Sequence, residues 1–103
     1  MPVVVTAVFH PAPGRKDDLV EALRSTIPGV HAEVGCLLYA IHDAEDGTIT
    51  MIEKWATVAD LDTHGSSPAV KALGAAVDGL VSGPATVTRM TPIPVGDPSV
   101  GEL

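Results

Sequence analysis

The sequence contains no asparagine and no glutamine, so no side-chain amide is available for binding or catalysis. It has a single cysteine, Cys36, which excludes an internal disulfide and any cysteine-rich zinc site. Aromatic residues make up only 3% of the chain, so its core must be built mainly from valine, leucine, isoleucine and alanine. The longest apolar runs have the length of strands, far short of the ~20 residues that a membrane-spanning helix needs.

Positive charge is also scarce, because 6 lysines and arginines stand against 13 aspartates and glutamates, for a net charge of −7. Such a surface repels phosphate backbones and anionic membranes, and the basic residues do not cluster. We therefore expect neither nucleic acid nor a membrane as a partner. The N-terminal residues 1–5 lack the positively charged lead of a signal peptide, which favours a cytoplasmic protein.

The length of 103 residues is that of one domain. A domain of this size buries roughly 65% of the surface that its unfolded chain exposes, which gives a real but marginal core. The hydrophobic fraction is nevertheless 46%. A short chain this apolar often has more apolar surface than one subunit can cover, so we expect a homo-oligomer.

Apolar periodicity divides the chain into four predicted strands and two predicted helices. The strands are residues 3–9, 36–43, 48–55 and 85–91, and the helices begin near residues 15 and 68. Pro28-Gly29 should kink or interrupt the first helix, because proline lacks the N–H and clashes with the preceding turn. Thr57 is placed to cap a short helical turn, and Ser67 to cap the second helix.

The order β-α-β-β-α-β predicts an α+β, ferredoxin-like fold with an antiparallel sheet and its helices on one face. Such a sheet usually alternates apolar and polar residues, because one face is wet. The first two strands do not alternate, so both faces should be dry, and a second copy of the sheet would most simply cover the open face. Prolines then mark residues 93–103 as an extended tail after a domain at residues 1–92.

The segment around the only tryptophan carries most of the chemical signal. Met51, Glu53 and Trp55 share one face of the third strand. A carboxylate on that face is costly to bury unless it is paired or protonated. His64 follows Trp55 by nine positions, just before a predicted helix start. An indole beside a titratable imidazole suits a pocket that holds a flat organic molecule and moves its proton.

These residues also resemble a known family. Residues 35–39 (Gly-Cys-Leu-Leu-Tyr), residues 53–55 (Glu-Lys-Trp), and His64 with Ser67-Pro68 are similar to the antibiotic biosynthesis monooxygenase domain. The similarity runs from residue 3 to about residue 91. It implies a homodimeric α+β barrel in which two sheets pack face to face. The best-known members of the family oxygenate polycyclic phenols without metal or flavin, and others are quinol monooxygenases or haem-degrading enzymes.

The family's tryptophan falls on Trp55 and its histidine on His64. Better-studied members carry an asparagine four residues before the tryptophan, where this chain has Met51. Taken as a whole, the resemblance implies a cofactor-independent monooxygenase for a quinol or polycyclic phenol, with no bound metal. The expected catalytic residues are His64 as base or hydrogen-bond partner, Glu53 to orient it or take the proton, and Trp55 as a wall. The expected substrate-binding residues are Met51, Leu61 and Tyr39.

Each candidate also has a structural interpretation. Trp55 and Tyr39 can serve only the core, His64 can cap a helix at the surface, and Glu53 can pair with a cation at the rim. Two alternatives therefore stay open. One is a non-catalytic dimeric binding protein that holds a hydrophobic aromatic molecule in the same pocket, and the other is a structural dimer whose cleft is filled by its own side chains. The four histidines have no metal-ligand spacing.

Overall fold

One four-stranded antiparallel sheet with the strand order β2-β3-β1-β4 forms the framework of the protein. The computed structural model describes residues 1–103. Both central strands are paired on each side, and the connections give the ferredoxin-like α+β fold expected from the sequence, which is thereby confirmed. The elements are β1 (Val3–Phe9), α1 (Lys16–His31), β2 (Cys36–Asp43), β3 (Ile49–Trp55), α2 (Val58–Gly65), α3 (Pro68–Val77) and β4 (Thr86–Met90).

Helix α1 is not interrupted at Pro28-Gly29, where the sequence predicts a kink or an interruption. Pro28 lies inside the helix, which continues beyond it to His31. An interior proline costs about 3 kcal/mol, so packing must compensate for it. Ile27 and Val30 are buried on either side of Pro28. A Cβ added at Gly29 would lie only 3.6 Å from Ala69 of α3, which shows how closely the two helices approach there.

The second crossover consists of two short helices, each begun by the capping residue that the sequence predicts. The Thr57 hydroxyl accepts a hydrogen bond from the Asp60 backbone N–H at 3.0 Å. The Ser67 hydroxyl accepts one from the Val70 backbone N–H at 3.1 Å, and Pro68 is the first residue of α3. Each cap satisfies a backbone donor that the first helical turn leaves free. The chain thus restarts a helix immediately after α2 and turns back along the sheet.

Strand β3 shows which face of the sheet the helices cover. Its residues alternate between buried and partly exposed, as a one-sided sheet requires. The buried side toward the helices carries Ile49, Met51, Glu53 and Trp55. The open side carries Thr50, Ile52 and Lys54, which stay partly exposed in a single subunit. Coverage of this open face by a second copy stays a prediction.

Strand β4 lies at the edge of the sheet, and all five of its residues are exposed. Val87 and Arg89 are paired with Ala7 and Val5 of β1, and belong to the helix-facing side. The helices therefore cover the centre of the sheet and leave this edge uncovered. After β4 the chain forms no further helix or strand, only a turn near Asp97. None of the helices combines the length and the apolar character needed to cross a bilayer.

Candidate active site

A cavity of about 230 Å³ lies between the helix-facing side of the sheet and helices α2 and α3. Most of its wall is apolar. The polar side chains in the wall are Tyr39, Glu53, His64 and Arg89. The apolar wall includes Val5, Ala7 and Phe9 of β1 and Leu61, Val70 and Leu73 of the helices. A dry site with a few polar groups is the usual form of a small-molecule pocket.

The strand register brings three of these polar residues into a single row across the sheet. Tyr39 of β2 is paired with Glu53 of β3, Glu53 with Val5 of β1, and Val5 with Arg89 of β4. Paired residues point to the same face, so the row forms the floor of the cavity. Tyr39 and Arg89 stand at its two ends, and Val5 provides an apolar stretch between Glu53 and Arg89.

His64 lies in the last turn of α2 and is 5% exposed. Its Nδ1 lies 3.0 Å from Oε2 of Glu33, a residue of the loop between α1 and β2. A carboxylate accepts hydrogen bonds but cannot donate them, so Nδ1 carries a proton and donates it to this bond. In the neutral ring Nε2 is then an acceptor. It has no partner in the chain, yet it is not sealed from solvent, so it is free to take a proton.

Trp55 is fully buried behind His64, and it does not reach the cavity. Its ring centroid lies 4.6 Å from that of His64, with 31° between the planes. The indole Nε1–H donates a hydrogen bond of 3.0 Å to Oε1 of Glu53. Trp55 thus packs its ring face against the His64 imidazole and orients the Glu53 carboxyl group through its N–H.

Glu53 is 5% exposed and presents its carboxyl group to the cavity. Burial raises the pKa of this carboxyl above its usual value. The indole N–H of Trp55, the charge of Arg89 and, when its ring is protonated, His64 oppose the rise. Oε1 is occupied by the indole. Oε2 has no hydrogen-bond partner in the chain and is not sealed, so it is available to a ligand.

Tyr39 completes the polar end of the cavity. Its ring meets His64 edge to face, with centroids 5.4 Å apart. Burial, and then the nearby Glu53 and Glu33 carboxylates, raise the pKa of the hydroxyl above its usual value, so the hydroxyl stays protonated and can donate. It forms no hydrogen bond within the chain. The polar end therefore offers one hydroxyl donor, one imidazole acceptor and one carboxyl oxygen.

Four of the six residues predicted for the site lie on the cavity wall, namely Tyr39, Glu53, Leu61 and His64. The other two, Trp55 and Met51, lie in the packed core. Trp55 acts on the wall from behind, whereas Met51 is fully buried and does not line the cavity. No group of three histidine, cysteine, aspartate or glutamate side chains is arranged as metal ligands would be.

Two residues of the site, Glu33 and Arg89, are not predicted by any pattern in the sequence. Glu33 is separated by 31 positions from His64, and no local pattern connects them. Arg89 could have been placed beside β1, because the predicted topology sets the last strand at that edge. Its position in the row depends on the register, which the sequence pattern alone leaves open.

Comparison with known proteins places the chain in a family. The sequence profile described as Antibiotic biosynthesis monooxygenase matches residues 2–76. The Mycobacterium tuberculosis protein named "Putative monooxygenase Rv0793" is 32% identical over 93 residues, which cover 89% of this chain and 92% of that protein. Its solved structure matches with a TM-score of 0.83 and 31% identity, and the match covers 94% of this chain and 100% of that one.

Two further solved structures have the same fold. One from Shewanella oneidensis is 28% identical, with a TM-score of 0.77, over 86% of this chain and 88% of the other. One from Pseudomonas aeruginosa is 25% identical, with a TM-score of 0.76, over 86% of this chain and 91% of the other. Since the profile spans well over half of the sequence, the chain belongs to the antibiotic biosynthesis monooxygenase family.

Proposed function

We propose that the protein is a cofactor-independent monooxygenase that oxidises a small quinol with molecular oxygen. One observation carries the proposal. The His64 imidazole is buried at the wall of an apolar cavity, and Glu33 binds its Nδ1–H while Nε2 has no partner. This is the arrangement expected of a general base whose tautomer is fixed by a neighbouring carboxylate. Membership of the family supports the same reaction class.

The chemistry requires a base because ground-state oxygen reacts slowly with closed-shell molecules. A quinol that has lost a proton gives up an electron far more readily than the neutral form. His64 Nε2 would take the hydroxyl proton. One oxygen atom would then enter the ring and the other would leave as water, with all four electrons supplied as the quinol becomes a hydroxyquinone.

The proton transfer also needs stabilisation of the substrate anion. An ordinary imidazole has a pKa of about 6.5 and a phenol about 10, so the transfer is uphill by roughly 5 kcal/mol. The Tyr39 hydroxyl is a donor to the developing oxyanion, and Glu53, when protonated, is a second one through Oε2. Donors fixed in a dry site stabilise such an anion far more than water does.

The size of the cavity favours a quinol over a polycyclic phenol. Its volume of about 230 Å³ falls below the roughly 300–1,000 Å³ of sites for drug-sized ligands. A one-ring or two-ring substrate suits such a space better than a system of three or four fused rings. The proposed substrate is therefore a quinol and not a polycyclic phenol.

We also propose that two copies of the chain associate through the open face of the sheet. Leu38, Ile52 and Met90 belong to that face, as their pairings with neighbouring strands show. No helix of the same chain covers them, and Met90 is 39% exposed. A second sheet would remove this apolar surface from water, as in the homodimeric barrel that the sequence resemblance implies. Light scattering measures whether the particle has twice the chain mass of 10.6 kDa.

Oxygen consumption tests the proposed reaction. With freshly reduced menadiol, the wild-type protein should consume oxygen faster than the uncatalysed reaction does. His64→Ala should lower kcat by about 10²–10⁴-fold, the usual contribution of a general base. His10→Ala is the control, since its ring contacts Thr86 and does not line the cavity. Quenching of Trp55 fluorescence by the quinol without oxygen uptake would instead support the non-catalytic binding protein.

A further inference from the structure

We propose, building on the quinol function, that Arg89 selects substrates carrying a carboxylate at the end of the ring system opposite the reacting hydroxyl. Arg89 is the only lysine or arginine in the cavity wall, although the chain has 6 such residues. Its guanidinium group occupies one end of the row, and the acid-base groups occupy the other. The cavity is therefore polar at both ends and apolar in the middle.

The register sets the distance between the two ends. Neighbouring strands lie about 4.8 Å apart, and Glu53 and Arg89 are separated by one intervening strand, so their backbones are about 10 Å apart. A fused two-ring system lying over Val5 spans such a distance when it carries a polar group at each end. When the hydroxyl of this ligand lies at His64 and Glu53, the opposite end of the ring system reaches the guanidinium group of Arg89.

The Arg89 side chain has donors to spare. Its single ion pair joins Nη2 to Oδ1 of Asp62 on α2, at 2.9 Å, and its remaining N–H groups have no partner in the chain. Both side chains of this pair are more than half exposed, so the contact is weak and readily exchanged. A planar guanidinium group binds a carboxylate through two parallel hydrogen bonds. A substrate carboxylate would compete for the guanidinium group with Asp62, which lies outside the cavity wall.

The charge around the cavity shows why Arg89 is needed for such a substrate. The protein has a net charge of −7, and the Asp62 carboxylate that pairs with Arg89 adds negative charge beside the cavity. Without a cation in the wall this field disfavours an anionic ligand relative to a neutral one of the same shape. Arg89 reverses that preference at one end only, so a carboxylate has one orientation in which it is stabilised.

Binding of two matched probes tests the proposal without turnover. 6-Hydroxy-2-naphthoate has a hydroxyl and a carboxylate at opposite ends of two fused rings, and 2-naphthol lacks the carboxylate. Titration calorimetry at low salt should give a several-fold preference of the wild type for the naphthoate. Arg89→Met should lower the ratio of the two affinities by about fivefold, and added salt should lower it in the wild type.

Two further variants sharpen the test. Asp62→Asn frees the guanidinium group and should raise the preference for the naphthoate. Arg15→Met is the matched control, because Arg15 is also about half exposed and also pairs with an aspartate at 2.9 Å, but lies outside the cavity. It should leave the ratio unchanged.

An unchanged ratio in Arg89→Met, or an equal change in Arg15→Met, overturns the role of Arg89 while the quinol reaction can still stand on its oxygen uptake. Failure of both probes to bind overturns the cavity as a ligand site, and the role of Arg89 with it. A preserved preference in a protein that consumes no oxygen keeps Arg89 as a selector and removes the oxygenase.

Discussion

The helix-facing side of the sheet has two halves with opposite properties. The inward face of α1 is closely packed, and Leu19, Leu23 and Val30 have no exposed surface. The grooves along α1 lie at its outer margin, against β2. Under α2 and α3, toward β1 and β4, the sheet leaves a cavity with polar groups in its wall. The same chain therefore uses one half of the sheet for stability and keeps the other half open.

The sequences of the helices explain this difference. Helix α1 is 16 residues long and presents a leucine, isoleucine or valine to the sheet at nearly every turn. Helices α2 and α3 have 8 and 10 residues, and α3 is rich in alanine with one glycine. Short helices with small side chains cannot fill the space above a strand. The cavity thus follows from side-chain volume, and any site there depends on the packed half for stability.

The largest effect should come from truncating a leucine in the packed half. Leu23→Ala should lower the free energy of unfolding by about 3 kcal/mol, because the vacated space is enclosed by rigid neighbours. Leu73→Ala removes the same group from the cavity wall, where one side already lacks contacts, and should cost clearly less. Urea unfolding of both variants measures the difference. Equal losses would mean that the two halves are packed alike.

Local patterns predict the helices and strands of both halves. The strands, the caps at Thr57 and Ser67 and the shared face of Glu53 and Trp55 all depend on residues a few positions apart, and the structure confirms them. Alternation predicts the face on which a side chain lies. It does not predict which part of that face the helices leave open, and Met51, predicted to line the pocket, lies in the core instead.

The cavity half depended on contacts that no local pattern encodes. The Glu33 carboxylate and the His64 imidazole meet only because the loop after α1 passes the end of α2. Arg89 reaches the row only through the register between β1 and β4. Both are long-range consequences of the fold, and a single sequence gives no measure of them.

The second largest effect should come from the Glu33 and His64 pair. Glu33→Ala should lower kcat for menadiol by about 10- to 100-fold, as loss of a partner that orients a functional imidazole commonly does. Glu33→Gln keeps an oxygen that can accept the Nδ1–H bond, so it should retain more activity. Nitrogen NMR of the neutral ring should find the proton on Nδ1 in the wild type and in Glu33→Gln, but shared with Nε2 in Glu33→Ala.

A purely structural role for Glu33 predicts a different pattern. Both variants would then lose stability, and the remaining folded protein would keep its tautomer and its kcat. Glu21→Ala, which removes an exposed glutamate of α1 that pairs with Arg24, controls for the loss of a negative charge. It should change neither the NMR spectrum nor the rate.

The smallest effect should be the pH dependence that Glu53 gives to stability. Burial raises the pKa of its carboxyl in the folded state, so between the unfolded pKa of about 4.3 and the raised value the folded chain holds a proton that the unfolded chain releases. Stability from this group is present below the unfolded pKa and is lost as pH rises through the folded pKa.

The variant Glu53→Gln tests this dependence, because it cannot titrate and can still accept the Trp55 hydrogen bond. Its unfolding free energy relative to the wild type should therefore increase from pH 4 to pH 7, whereas the exposed Glu45→Gln should show no such trend. A relative stability that is constant or falls with pH would mean that the cavity half does not desolvate this carboxyl, and that its polar end is as wet as the surface.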